Sequence, residues 1–182
     1  MIVPSKLETK RLILRPFNKN DFESFYDFMK NENNTKFLNF TADQKTSKGI
    51  KNLFNSVINS YHSLNPTFAL VIADKQSGFY LGSCGFSPLE KKDEIECYYA
   101  LLPQFWGNGY AIEAMKKMFY HAFSELAITK IKAFIIPGNT HGWKTAERVG
   151  MKYMGDVLLK NYSQRVMLFT IEKREFNNQH LY

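Results

Sequence analysis

The stretch Leu101-Leu102-Pro103-Gln104-Phe105-Trp106-Gly107-Asn108-Gly109-Tyr110-Ala111 constrains this chain more than any other, because it joins an apolar strand-like run to a helix through two glycines one residue apart. Glycine permits backbone conformations and close approaches that a Cβ forbids. The first N–H groups of the following helix have no intrahelical partner and lie at the positive end of its dipole, so the junction can hold an anion without a charged side chain. A diphosphate is the guest such a turn suits best. Glycines also serve purely steric needs in strand-to-helix turns, so the turn alone does not decide between the two roles. The spacing is not that of the dinucleotide fingerprint, which needs three glycines and an acidic residue about 20 positions on, nor that of a P-loop, which ends in Gly-Lys-Ser/Thr.

The rest of the chain reads as strands paired in hairpins, followed by strands alternating with helices. Leu7 to Arg15 predicts a strand with Leu12 and Leu14 on one face, stopped by Pro16. Asp21 can cap a helix whose Phe22, Phe25, Tyr26 and Met29 fall on one stripe, and Ile50 to Tyr61 carries a second such stripe after the polar stretch Thr41 to Lys48. Phe68 to Ala73 and Phe79 to Phe86 flank the loop Asp74 to Gly78 as a hairpin. Then come a strand at Glu94 to Leu102, the glycine loop, and a helix with Ile112, Met115, Phe119, Ala122, Phe123 and Leu126 inward. A strand at Ile131 to Ile136, a short helix at Thr140 to Val149 stopped by Gly150, and strands at Lys152 to Leu159 and Gln164 to Lys173 close the order. This order predicts an α/β architecture, a mixed sheet with helices on both faces. At 182 residues, the expected organisation is one domain, 1–182.

Composition narrows the classes. The 16 Phe and 10 Tyr supply an unusually aromatic core. No apolar run approaches the ~20 residues that span a bilayer, and the N-terminus lacks a signal-peptide pattern, so no membrane partner and a cytoplasmic location are expected. Cys84 and Cys97 read as buried reduced thiols, and His62, His121, His141 and His180 show no metal spacing. The net charge of +7 is spread without a dense basic run or a nucleic-acid-binding motif, so a generally basic surface and no specific nucleic-acid partner are expected; it would also suit an anionic cofactor, and the charge itself does not separate the two readings.

With Gln104, Gly107 and Gly109 in its three defined places, the loop matches Gln/Arg-x-x-Gly-x-Gly/Ala, and there the chain resembles the GNAT superfamily of N-acetyltransferases. Asn139 to Met151 is similar to that superfamily's Asn-x-x-Ser/Ala segment and helix, with Gly142 in place of Ser or Ala and Met151 in place of Phe. Leu7 to Phe17, with Asp21, resembles the opening of the ribosomal-protein N-terminal acetyltransferases of the RimJ/RimL type, and the likeness runs from about Leu7 to Phe176. The resemblance implies the GNAT fold, in which the strands here at Glu94 to Leu102 and Ile131 to Ile136 splay into a V-shaped cleft for the pantetheine arm of acetyl-coenzyme A. It assigns the cofactor to Leu101, Leu102, Gln104, Gly107, Asn108, Gly109, Tyr110, Ala111, Asn139 and Lys144, with Arg148, Lys116 and Lys117 further candidates for its terminal phosphate. Trp106 is expected to pack against the fold beside it.

The implied reaction is acetyl transfer to a primary amine, a protein N-terminus or a small molecule, by direct attack in a ternary complex. Three catalytic contributions follow from the resemblance: the Leu101 amide at the thioester oxygen, Glu96 as base or relay, and Asn139 beside the thioester and a water. A solvated or salt-bridged strand glutamate is the structural alternative for Glu96. The positions where relatives carry an acidic Tyr or Ser hold Ala146 and Gly142, so the general acid is unassigned, with Tyr98, Tyr99 and His141 as substitutes. Those departures keep open a second function, a non-catalytic acyl-coenzyme A sensor. A monomer or homodimer is expected.

Overall fold

Alternation of Leu12 and Leu14 with Ile13 and Arg15 drives the first long-range strand pairing, since both leucines are fully buried. The computed structural model describes residues 1–160 and 162–179; His180 lies outside them. Its strands are β1 (Leu7–Glu8), β2 (Leu12–Arg15), β3 (Phe68–Asp74), β4 (Tyr80–Pro88), β5 (Glu94–Leu101), β6 (Lys130–Ile135), β7 (Lys152–Val157) and β8 (Val166–Glu172), joined in one sheet of order β1-β2-β3-β4-β5-β6-β8-β7. Every neighbouring pair is antiparallel except β5 and β6, which run parallel.

One face of the sheet is covered by α1 (Phe22–Lys30) and α3 (Ser47–Ser60), where Phe17, Phe25, Phe28, Ile50 and Phe54 form an aromatic-rich cluster with Val71 and Tyr80. The other face is covered by α4 (Tyr110–Glu125) and α5 (Thr140–Arg148), with Met115, Met118, Phe119 and Phe123 buried against Leu70, Ile95, Ile131 and Phe169. The expected mixed sheet with helices on both faces is what the chain forms. Both cysteines are buried and free, and burial pushes their thiols well above the ordinary range. Among the described residues, no helix is long and apolar enough to cross a membrane.

Three local expectations are corrected. The predicted strand Leu7 to Arg15 is a hairpin, β1 folding back on β2 with Leu7 opposite Leu14. Thr9 makes the turn, its N–H donating to the Leu12 carbonyl while its hydroxyl oxygen accepts from the Leu12 N–H. Asp21 does not cap α1 with its side chain. Its carboxylate is taken by a bidentate pair with the Arg15 guanidinium, 2.8 Å on each oxygen, and by the Asn18 N–H. Finally, the last strand stops at Glu172 and α6 (Lys173–Gln179) follows, which carries Phe176 into the core beside Phe119 and Phe123. A further short helix, α2 (Glu32–Thr35), starts at an Asn31 cap inside the segment linking α1 to α3.

The sheet opens in the middle. β5 and β6 pair only over Glu94 with Lys130, Ile95 with Ile131 and Glu96 with Lys132. Beyond that point β5 stays with β4 as far as Leu101, and β6 stays with β8 as far as Ile135, so the two parallel strands diverge into a V.

Candidate active site

The glycine loop sits at the wide end of the V. Gly107 and Gly109 both have φ of 77°, a left-handed conformation that side chains rarely adopt, and Gly109 is the N-cap of α4. No side chain caps that helix, and the first amide bonded back into it belongs to Glu113, which reaches the Gly109 carbonyl at 3.0 Å. The N–H groups of Tyr110, Ala111 and Ile112 are therefore presented outward without intrahelical partners.

Two features stiffen the loop. The Trp106 indole N–H donates to the Leu101 carbonyl at 2.8 Å, and its ring packs on His141 of α5 with centroids 4.9 Å apart. On the other side, Arg11 from the β1–β2 turn donates to the Asn108 carbonyl at 3.0 Å, lies over the Tyr110 ring and pairs with Glu113 at 2.6 Å. Burial alone would raise the Glu113 carboxyl, but hydrogen bonds from Thr9 and Arg11 hold it below its ordinary value. The Arg11–Glu113 brace was not foreseen, because its partners lie about a hundred residues apart in sequence and no local spacing marks them.

A cavity of about 460 Å³ extends from this loop into the V. Of the residues expected at the cofactor, Leu101, Gly107, Gly109, Tyr110, Ala111, Asn139 and Lys144 line it, and Arg148 joins them. Gln104 and Asn108 are exposed and stand outside its walls, Asn108 serving instead as the loop's carbonyl anchor for Arg11. Leu102 packs into the aromatic cluster on the far face, and Lys116 and Lys117 do not line the cavity. Among the described residues, the charged side chains on its walls are Lys36, Lys144 and Arg148, with no carboxylate among them.

Past Glu96 no strand pairs with the edge of β5 that faces the V among the described residues, and the Leu101 carbonyl there is taken by Trp106. The Leu102 N–H donates to the Leu81 carbonyl at 2.9 Å, so Leu101 and Gly82 form the ladder pair whose own amides point away from each other. The Leu101 N–H is thereby aimed into the cleft, and Tyr99, two residues earlier, presents its amide the same way.

A second cavity, about 360 Å³, lies on the other side of this edge under α1 and α3. The two cavities meet at Tyr99, Ala100, Asn139 and Gly142, which line both. Phe37 and Leu38, from the α2–α3 connection, also line both, and Tyr162, from the β7–β8 loop, lines the second; neither contribution was foreseen at residue level.

Glu96 opens into the second cavity. Among the described residues no hydrogen bond or ion pair reaches its carboxylate, and burial raises its pKa above the ordinary value. Its neighbour on the same face, Glu94, is bound by Lys132 and Lys91, which lower its pKa. The salt-bridged alternative for Glu96 thus describes Glu94 instead.

Asn139 is the N-cap of α5, its Oδ1 accepting the Gly142 N–H at 2.9 Å. A Cβ at Gly142 would stand 2.5 Å from the Asn139 amide nitrogen, so the bare glycine and the cap depend on each other. Ala146 is fully buried. The Tyr99 hydroxyl donates to the Gly142 carbonyl at 2.7 Å and burial raises its pKa well beyond the ordinary range; Tyr98 is likewise raised by burial.

A parallel pair of strands that parts over a glycine loop, with unpaired strand edges between two joined cavities, defines an acyl-transferase architecture. The Acetyltransferase (GNAT) domain family matches residues 11–152, and the chain belongs to that family. The uncharacterized N-acetyltransferase p20 of Bacillus licheniformis is 26% identical over 179 residues, covering 93% of this chain and 97% of its own. A GNAT-family acetyltransferase from Bacillus anthracis superposes with a TM-score of 0.79 at 19% identity, over 93% of this chain and 99% of that one. The spermidine N-acetyltransferase of Vibrio cholerae, solved with CoA and spermine, gives 0.77 at 18% identity over 93% and 100%. The protein is an N-acetyltransferase.

Proposed function

We propose that the chain transfers an acetyl group from acetyl-coenzyme A to a primary amine by direct attack, both substrates being held at once. The observation that carries this reading is the pair of joined cavities with opposite chemistry. One is walled by free amides and by Lys36, Lys144 and Arg148; the other contains a lone carboxylate. Anion and ammonium are thereby drawn to opposite sides of one junction.

The residues present fit the cofactor. The amides of Tyr110 to Ile112 and the left-handed glycines would hold its diphosphate, Lys144 and Arg148 its terminal phosphate, and the unpaired edge of β5 its amide-bearing arm, as an added strand would pair. Acetyl-coenzyme A supplies the acetyl group as a reactive thioester. The Leu101 N–H would donate to oxygen where negative charge develops, and its fixed place in the β4–β5 ladder means no reorganisation at that moment. Glu96 would take a proton on its carboxylate from the acceptor ammonium, directly or through water, and its raised pKa makes it a stronger base than a solvated glutamate. Alignment of two reactants can supply roughly 7–11 kcal/mol of barrier lowering, so few side chains are required. Asn139, at the junction, would position both α5 and a water. The opening motif, Leu7 to Phe17 with Asp21, supports membership of the RimJ/RimL branch, and a single domain in a monomer or homodimer is the expected form.

The test is thiol release from acetyl-coenzyme A across a library of primary amines, with coenzyme binding measured by calorimetry. Release that depends on an amine supports transfer. Coenzyme binding without release for any amine overturns it in favour of a sensor.

A further inference from the structure

The acceptor cavity carries more information than the presence of a base. Among the described residues, six phenylalanines and three tyrosines line it, and Glu96 is its one charged lining residue. The remaining polar walls are neutral, such as Thr67, Ser83 and Ser87. Of the other carboxylates near this face, Asp21 is taken by Arg15 and Glu94 by Lys91 and Lys132, while Glu23, Asp27, Glu32 and Asp43 on the covering segments do not line the cavity. We propose that the acceptor is a small monoamine with an apolar, ring-bearing body, and that polyamines are poor substrates. This rests on the acetyl-transfer reading above and narrows it.

The argument is one of compensation. A single ammonium entering beside Glu96 meets an unpartnered carboxylate, and the body behind it trades water for aromatic surface at roughly 25 cal/mol for each Å². A second ammonium on the same molecule would lie among phenylalanines with no counter-charge, and an uncompensated buried charge is strongly disfavoured. The chain's net charge of +7 opposes the approach of a polycation as well. A cavity of about 360 Å³ also lies in the size range of small-molecule sites.

The substrate-side device can be moved by one substitution. Ser87 lies directly opposite Glu96 in the β4–β5 register, so both side chains share one face of the sheet at the cavity wall. Ser87→Asp would set a second carboxylate beside the first and create the missing counter-charge.

The experiment compares 2-phenylethylamine, spermidine and a peptide amide beginning with Phe, by thiol release and by calorimetric titration of each into protein saturated with coenzyme A. The expected result is a kcat/KM for 2-phenylethylamine at least ~100-fold above that for spermidine, with the peptide no better than 2-phenylethylamine. Ser87→Asp should raise the spermidine to 2-phenylethylamine ratio by ~10-fold or more. Spermidine turned over or bound within ~10-fold of 2-phenylethylamine overturns the proposal, as does preference for the peptide or an unchanged ratio in folded Ser87→Asp. If no amine is turned over, the transfer reading fails, and the calorimetric order of 2-phenylethylamine and spermidine still decides this one.

Discussion

The two cavities that meet at Tyr99, Ala100, Asn139 and Gly142 are built by opposite means. The first is a backbone site: left-handed glycines, helix amides and a strand edge wall it, and side chains such as Trp106, Arg11 and Glu113 hold that backbone in place. The second is a side-chain site, in which rings from β2's exit, α1, the α2–α3 connection, β5, β6 and the β7–β8 loop surround one carboxylate. The difference teaches where specificity resides. A backbone site recognises a ligand class and tolerates change in its side chains, whereas a ring-lined site can be retuned by single substitutions.

The sharpest way to break the comparison is at Gly109. Its φ of 77° strains any β-branched residue by about 1–3 kcal/mol, and the same turn aims the helix amides. Crowding within the protein is not the cause, because a Cβ there meets only Arg11 Nη2 at 3.6 Å. Gly109→Val is expected to weaken acetyl-coenzyme A binding by at least ~100-fold in calorimetry while circular dichroism stays unchanged. Near-normal affinity would show that the loop is not the anion site.

Glu96→Gln should act on the other cavity alone. Turnover is expected to fall by ~100-fold or more with coenzyme affinity unchanged, and the defect should shrink as pH rises toward the amine's own pKa near 10, where solvent removes the proton unaided. A glutamate that only positions the acceptor would raise KM, leave kcat similar and give a defect flat with pH.

A smaller effect is expected from the brace behind the loop. Glu113→Gln weakens the partner that holds Arg11 over Tyr110 and against the Asn108 carbonyl. The expected change is about a tenfold rise in coenzyme Kd, ~1.4 kcal/mol, with kcat and acceptor KM nearly unaltered. If acetyl-pantetheine, which lacks the diphosphate, loses affinity equally, the brace does not act through the loop.

The same contrast explains what was legible in the sequence. Local periodicity gave the strands, the major helices and the glycine loop, because those depend on spacing within ten or twenty residues. It misjudged Leu7 to Arg15, where Thr9 satisfies the Leu12 amide and closes a turn that apolar alternation does not register. It misassigned Asp21, since a cap at that position competes with the Arg15 guanidinium six residues earlier, a pairing that helical periodicity does not register. At the candidate site, the glycine-loop residues found by motif include Gly107, Gly109, Tyr110 and Ala111, which line the first cavity. Gln104 and Asn108 were carried along by the same motif but stand outside the cavity, and Phe37, Leu38 and Tyr162 have no local signature because tertiary packing alone assembles them.

The smallest expected effect concerns stability, and it sets two glutamates on one strand against each other. Glu94 is held below its ordinary pKa chiefly by Lys132, so its ionised form stabilises the fold above the unfolded-state pKa, and that contribution is lost as pH falls through the lowered folded value. Glu96 is raised by burial, so the sign reverses: its contribution is fully present below the unfolded-state pKa and is lost as pH rises through the raised folded value. At pH 7, Glu94→Gln should therefore lower Tm and Glu96→Gln should raise it, each by a few degrees at most, since ~1 kcal/mol moves Tm by about 2–4 °C in a chain of this size. Both differences should fade when melting is repeated in acid, below the point where the unfolded carboxylates protonate near pH 4.3. A gain in stability on losing Glu96, paired with a loss of turnover, is the signature of a carboxylate kept uncompensated for function. If Glu96→Gln melts lower than the parent at pH 7, the carboxylate has a stabilising partner in solution, and the electrostatic contrast between the two cavities would have to be redrawn around it.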